Sequence, residues 1–290
     1  MNGNNDILKS SGIYKILFFT FLLFIMAYAY ANDISKGLHY YDIGQYKKAY
    51  QYFVRSNAKD NAEVQRCLGW MYSTGSGVKK NDLKAMEWYA KSAAQGNANA
   101  QFDIGTLYYY GEGVKQDYKK ARLWFEHAAK KNYVAAQYNL GVLYEKGLGV
   151  QQDYFKAREW YQKAVYYGHP SAMVNLGTLY GKGLGGEQND SKAFELYKKA
   201  AEKGDSGAQY NLAEYYRAGL ATPRDLDKAI TWYEKSAAQG TSKAMDKLAR
   251  IYQVGYKNIP ANEALSEKWA QKAQAARAKE QTGARNNTSD

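Results

Sequence analysis

Tyrosines at 72, 108, 144, 180, 216 and 252 recur every 36 residues without a break. A glycine column keeps the same step at Gly69, Gly105, Gly141 and Gly177, then becomes Ala213 and Ala249. Ala100, Ala136, Ala172, Ala208 and Ala244 form a third column; Trp88, Trp124, Trp160 and Trp232 form a fourth, with Leu196 in the gap. A fixed step of this length describes stacked supersecondary units. Each unit packs on its neighbours instead of around one central core.

One unit shows what the columns are for. In "AQFDIGTLYYYGEG" (Ala100–Gly113), Ala100, Ile104, Leu107 and Tyr108 share one face of a helical wheel. Gly105 interrupts that helix, at a cost of roughly 1 kcal/mol relative to Ala. A recurrent glycine therefore implies the close approach of a second helix, where no Cβ fits. Gly111 ends the helix as a left-handed C′ residue does. Asp117, with Asn81, Asp153, Asn189 and Asp225 at the same step, is placed to cap a second helix. That helix, "YKKARLWFEHAAKK", sets Ala121, Trp124, Phe125, Ala128 and Ala129 on one side. Gly96, Asn132, Gly168, Gly204 and Gly240 close it in successive units. Each unit is thus an antiparallel helix pair. The Gly-x-Gly stretches are helix–helix turns; they lack the preceding strand and third glycine of a dinucleotide-binding loop.

The remaining features bound the chemistry. Three prolines in 290 residues suit a helical chain. The single cysteine, Cys67, allows neither an internal disulfide nor a thiolate metal site and reads as a small core residue. His39, His127 and His169 are far apart and fall in no metal-ligand spacing. No cofactor is expected. At the N-terminus, Lys9 and Lys15 precede the apolar run "ILFFTFLLFIMAYAYA" (Ile16–Ala31), which ends in Ala29–Tyr30–Ala31. This reads as a signal peptide over residues 1–31, cut before Asn32, with an uncleaved anchor as the alternative. The formal charge of +12 then points to anionic envelope polymers, anionic lipid or acidic proteins, and away from nucleic acid. Residues 32–61 read as a capping helix pair and 62–275 as the repeat array. Residues 276–290 ("ARAKEQTGARNNTSD") read as a polar tail without ordered structure.

The segment "AQYNLGVLYEKGLGVQQDYFKAREWYQKAVYYG" (Ala136–Gly168) resembles a Sel-1-like repeat, a relative of the tetratricopeptide repeat. The likeness covers about residues 33–275. The last unit departs from it: "GYKNIPANEALSEKWAQKA" lacks the second glycine and places Trp269 one residue late. The resemblance implies an all-α, right-handed superhelical solenoid. It also implies a non-catalytic scaffold for protein or peptide partners, able to act as a monomer. Together with the N-terminal segment, it suggests an exported bacterial member, periplasmic or secreted.

In related arrays the first helix of each pair lines the concave face. On that reading Phe102, Tyr109, Tyr138 and Tyr210 are exposed to a partner. Asn139, Asn175 and Asn211 lie at the edge, where an amide either pairs with a partner's backbone or braces its own repeat. Lys48, Lys84, Lys120, Lys156, Lys192 and Lys228 form one basic column; Lys91, Lys163, Lys199 and Lys235 form another. These ladders either attract an anionic polymer or membrane surface, or pair locally with Glu87, Glu159 and Glu195 four residues earlier. Some cysteine-rich relatives bind or hydrolyse β-lactams. Here Ser56–Lys59 and Ser76–Lys79 spell S-x-x-K, but the partner motifs S-D-N and K-T-G do not occur.

Overall fold

A computed structural model of the chain describes residue 20 and residues 32–55, 57–256 and 259–286. The expected signal peptide therefore lies outside the described residues, except for Thr20. No helix among the described residues is long and apolar enough to cross a membrane.

The described secondary structure is helical, apart from an isolated antiparallel bridge between Tyr256 and Ile259. Residues 32–42 are helical (α1). They are followed by α2 (Tyr46–Arg55) and a 3₁₀ turn (Asn57–Asp60). Next come α3 (Ala62–Thr74), α4 (Asp82–Ala94), α5 (Ala98–Tyr110), α6 (Tyr118–Ala129), α7 (Val134–Lys146) and α8 (Tyr154–Tyr166). The chain continues with α9 (Pro170–Gly181), α10 (Asp190–Glu202), α11 (Ser206–Ala218), α12 (Leu226–Ala238), α13 (Ser242–Val254) and α14 (Glu263–Asn286). They fall into two compact units, Met1–Ala136 and Gln137–Asp290. In the first, α3 packs on α4, α4 on α5, and α5 on α6. In the second the same order runs from α8 through α14.

The local chemistry explains the regularity. Asn81, Asp117, Asp153, Asn189 and Asp225 each accept the backbone N–H three residues on, at 2.8–3.0 Å. These are the predicted caps of the second helices. The first helices are capped too, by Asn61, Asn97, the His169 imidazole Nδ1 and Asp205. That column varies in residue type, and the sequence pattern did not reveal it. Gly75, Gly111, Gly147 and Gly219 take φ of 68–79° at the ends of the first helices, the left-handed closure that L side chains resist. The second glycine of the turn, at Gly77, Gly113 and Gly185, also has positive φ and is crowded by a neighbouring helix, whereas Ala221 takes that position in the α11–α12 turn. A Cβ on Gly77 would sit 2.6 Å from the Tyr46 carbonyl carbon.

The helical glycines meet the expectation of close approach and identify what approaches. A Cβ on Gly69 or Gly105 would fall 2.6 Å from the ring of Tyr89 or Phe125, and one on Gly177 would fall 2.9 Å from that of Tyr197. Tyr161 crowds Gly141 in the same way. So a large aromatic on each of α4, α6, α8 and α10 packs against the backbone of its own first helix. Tyr161, Tyr233 and Phe125 are fully buried, and Tyr89 and Tyr197 nearly so.

At the N-terminal end, α1 and α2 contribute Ile34, Leu38, Ala49 and Phe53 to a cluster with Val64, Cys67, Leu68 and Met71 of α3. Burial pushes the Cys67 thiol up to about 12, so it is an inert core group. At the other end the expectation of a tail without ordered structure from 276 is not met over residues 276–286, which continue α14. Ala273 is buried and Ala276 packs on the Leu248 cluster. Arg277 pairs with Asp246 at 2.5 Å. A few residues of this largely polar helix, Trp269, Ala273 and Ala276, anchor it on the cluster.

Candidate functional site

The first helices carry the residues predicted to meet a partner, but the structure uses much of that aromatic surface internally. Phe102 is half-buried between Phe125 and Tyr133, with ring centroids 5.5 and 4.9 Å away. Tyr109 is half-buried against Tyr110, Tyr118 and Phe125. Tyr138 stacks on His169 at 4.7 Å and tilts over Tyr161 at 5.8 Å. Tyr210 covers Tyr233 at 5.8 Å. These rings form lids over the buried aromatic of their own repeat, so the expectation that they are exposed is corrected to half-burial. The wheel found their face but could not show that a second-helix ring passes beneath it.

That ring column, Tyr89, Phe125, Tyr161, Tyr197 and Tyr233, is the feature of this face that the sequence reading missed. Its signal is present: an aromatic residue at every 36th position, directly after the tryptophan column. The tyrosines reach past the glycine and deliver their hydroxyls to the first-helix face. The Tyr161 hydroxyl donates to Glu145 and accepts from Asn175 Nδ2 at 3.0 Å. Tyr197 meets Thr178 at 3.0 Å. Tyr233 donates to Glu214, which also takes Arg217 at 2.8 Å and Lys247 at 3.0 Å. Asn175 therefore braces the preceding repeat through Tyr161. Asn139 and Asn211, on α7 and α11, are half-buried at the equivalent positions.

These networks are charged and partly dry. Burial works to raise the Glu214 pKa, but hydrogen bonds from Arg217, Tyr233 and Lys247 outweigh it and hold the carboxylate below its usual range. Tyr161 and Tyr233 are raised far above the usual phenol, first by burial and then by their carboxylate partners. In the first unit, Asp103 occupies the position of Asn175. Burial pushes it up to about 6 against the pull of Arg66, which is 3.9 Å away and already bound to Glu63. Its Oδ2 is buried without a hydrogen-bond partner. His169, capping α9, is lowered by burial.

The lysine columns resolve into ring contacts. Lys84, Lys120, Lys156, Lys192 and Lys228 sit 5.1–5.4 Å above Tyr72, Tyr108, Tyr144, Tyr180 and Tyr216. Three of them also pair with the capping aspartates Asp117, Asp153 and Asp225. Lys91, Lys163 and Lys235 lie 3.9–4.4 Å above Trp88, Trp160 and Trp232. The expected partners were Glu87, Glu159 and Glu195; the indole three residues back takes the ammonium of Lys91 and Lys163 instead. The π face is the less hydrated partner.

Ser76 lies in the α3–α4 turn, where its Oγ accepts from Thr74 at 2.9 Å, and Lys79 is exposed. This is not the helix-start serine with a buried lysine that the S-x-x-K motif requires. Ser56 lies outside the described residues. Among the described residues, no group of three or more His, Cys, Asp and Glu side chains could hold a metal ion.

Comparison with known proteins gives the array a family. The Sel1 repeat model matches residues 62–97, 98–133, 134–169, 170–205, 206–241 and 242–273. A Sel1 repeat protein from Oxalobacter formigenes is similar at 34% identity and a TM-score of 0.76, over 83% of this chain and 96% of that one. The c5321 protein, a protective antigen present in uropathogenic Escherichia coli strains and displaying an SLR fold, is similar at 31% identity and a TM-score of 0.79. That match covers 85% of this chain and 54% of the E. coli protein, so the chain spans about half its length. The comparison with curated proteins gives no match. Sel1 repeat proteins are generally protein-interaction scaffolds, and the fold is typically non-catalytic. With helix pairs in tandem, their registers matching the family repeat over residues 62–273, the chain belongs to the Sel1 repeat family.

Proposed function

We propose that the protein is a non-catalytic scaffold that binds a protein partner on the first-helix face of its second unit. The observation that supports this is the hydroxyl and carboxylate network on that face. Glu145, Tyr161 and Asn175 link α7, α8 and α9, and Glu214, Tyr233, Arg217 and Lys247 link α11, α12 and α13. These are rigid donors and acceptors on helices, beside the half-exposed rings of Tyr138 and Tyr210. A preorganised surface of this kind loses little entropy when a partner docks. The N-terminal segment supports a reading of this scaffold as exported. N-terminal sequencing of the native protein that begins at Asn32 would support it; an intact Met1 or Asn2 start together with recovery in the cytosolic fraction would overturn it, and an intact start in the membrane fraction would make the segment an anchor.

The experiment is a crosslinked affinity purification of the full chain from a bacterial envelope fraction, beside a variant carrying Tyr138→Ala, Asn211→Ala and Tyr210→Ala. A thermal melt on each establishes folding. A protein partner lost from the folded variant and retained by wild type across 50–500 mM salt is the expected result. Equal recovery from both, or capture that vanishes with salt, would move the binding site to the lysine columns and an anionic polymer or membrane surface.

A further inference from the structure

The tryptophan column is broken once, and the structure has a pocket at the break. Trp88, Trp124, Trp160 and Trp232 each have a basic residue three positions later that meets the indole: Lys91, His127, Lys163 and Lys235. The indoles of Trp88, Trp124 and Trp232 lie near the first helix of their repeats: Trp88 clusters with Leu68. Trp124 clusters with Ile104 and Tyr108, and Trp232 with Leu212 and Tyr216. In the fourth repeat Leu196 takes the tryptophan position, while Lys199 keeps the basic one. Leu176 and Tyr180 occupy the positions of Ile104 and Tyr108. These four residues, with Lys192 and Glu195, line an open pocket of about 390 Å³ between α9 and α10, of a size that takes a side chain or small ligand.

We propose that this pocket receives an aromatic side chain from an acidic segment of a protein partner. The shape argument is internal to the chain: four other repeats carry an indole at this position, in contact with a basic residue three positions later. A partner's ring would complete the fifth copy, its edge against Leu176 and Leu196 and its face beneath the Lys199 ammonium. The charge argument favours acidic flanks. Lys192 and Lys199 stand on the rim and outnumber Glu195, and Lys199 lacks the ring that its counterparts share. The site lies on α9 and α10 and is separate from the tyrosine lids of the proposed interaction face, so each can fail alone.

The test uses the tripeptide acetyl-Glu-Trp-Glu-amide, with acetyl-Glu-Ala-Glu-amide and free indole-3-acetate as comparators. Binding to the full chain is read by ligand-observed saturation-transfer NMR. The expected result is saturation of the indole protons by wild type and none of the alanine peptide. Leu196→Trp, which fills the pocket from within, is expected to weaken binding at least tenfold while melting at or above the wild-type temperature. Lys199→Ala is expected to weaken binding several-fold at low salt. Tyr138→Ala with Tyr210→Ala should leave it unchanged, which separates this site from the proposed face. Undiminished binding by Leu196→Trp, or no binding by wild type, would overturn the proposal. So would binding of indole-3-acetate without the tripeptide, which would make the occupant a free aromatic acid.

Discussion

The first four repeats are each fastened at one residue pair, a glycine on the first helix and a ring on the second. The cost of glycine in a helix is offset because the ring can lie on bare backbone. Gly141→Ala should therefore lower stability by about 1–3 kcal/mol, the usual range for overpacking, despite its better helix propensity. A urea midpoint unchanged or raised in this variant would contradict the lock. Ala213, which stands at the same position against Tyr233, shows that one repeat has adjusted to a Cβ. The need for glycine was legible in the sequence. The ring that imposes it was not, because two adjacent large residues, the tryptophan and the ring after it, could each fill that position. Asp103 is a second residue-scale test. Its carboxyl is raised from 3.8 to about 6 by burial, so the folded state holds the proton more tightly than the unfolded chain. Its contribution is most favourable below about pH 4 and is lost as pH rises through 6. Asp103→Asn, which restores the amide found at Asn139 and Asn175, should stabilise at pH 7.5 by on the order of 1–2 kcal/mol and at pH 4 by little. Equal effects at both pH values would refute this account.

At the scale of the helix, the caps and the cation–ring pairs explain why the elements begin where they do. Asp153 holds the Lys156 N–H at 3.0 Å and its ammonium at 3.7 Å, and that ammonium lies over Tyr144. Asp153→Ala should cost about 1 kcal/mol by chemical denaturation. Adding 0.5 M salt to wild type should change stability much less, because the lysines sit on rings and exposed ion pairs are weak. A cap variant within error of wild type would show that packing alone sets the α8 start. These caps were read correctly from a 36-residue step. The caps of the first helices were not, because Asn, His and Asp alternate there and no single residue type marks the position. The last helix was misread for a related reason: composition alone suggested disorder after 275. The contacts that order it, Ala273 and Ala276 on the Leu248 cluster and Arg277 on Asp246, come from the neighbouring α13.

For the whole molecule, a repeat array is only as stable as its ends. Removing residues 263–290 would expose Leu248, Ile251 and the rest of the cluster that α14 covers. The truncated protein should melt several degrees lower and self-associate in light scattering, as arrays without a terminal cap do. Unchanged melting would show that α14 is dispensable. The fold was legible because periodic packing repeats its own evidence. The candidate face was only half legible: the wheel found the first-helix side chains, but their rings proved to be lids, and the hydroxyls of Tyr161 and Tyr233 that tie its polar groups together come from the other helix of each pair. The central claim is that the main docking face is formed by the first helices, with α12 holding the frame and the pocket at Leu196 a separate site. The most direct measurement places a photo-crosslinking amino acid at Asn211 or Arg217 on α11, and at Thr231 or Glu234 on α12, in the native cell. The account predicts a protein adduct from the α11 positions and none from α12; adducts from α12 alone, or from neither, would contradict it.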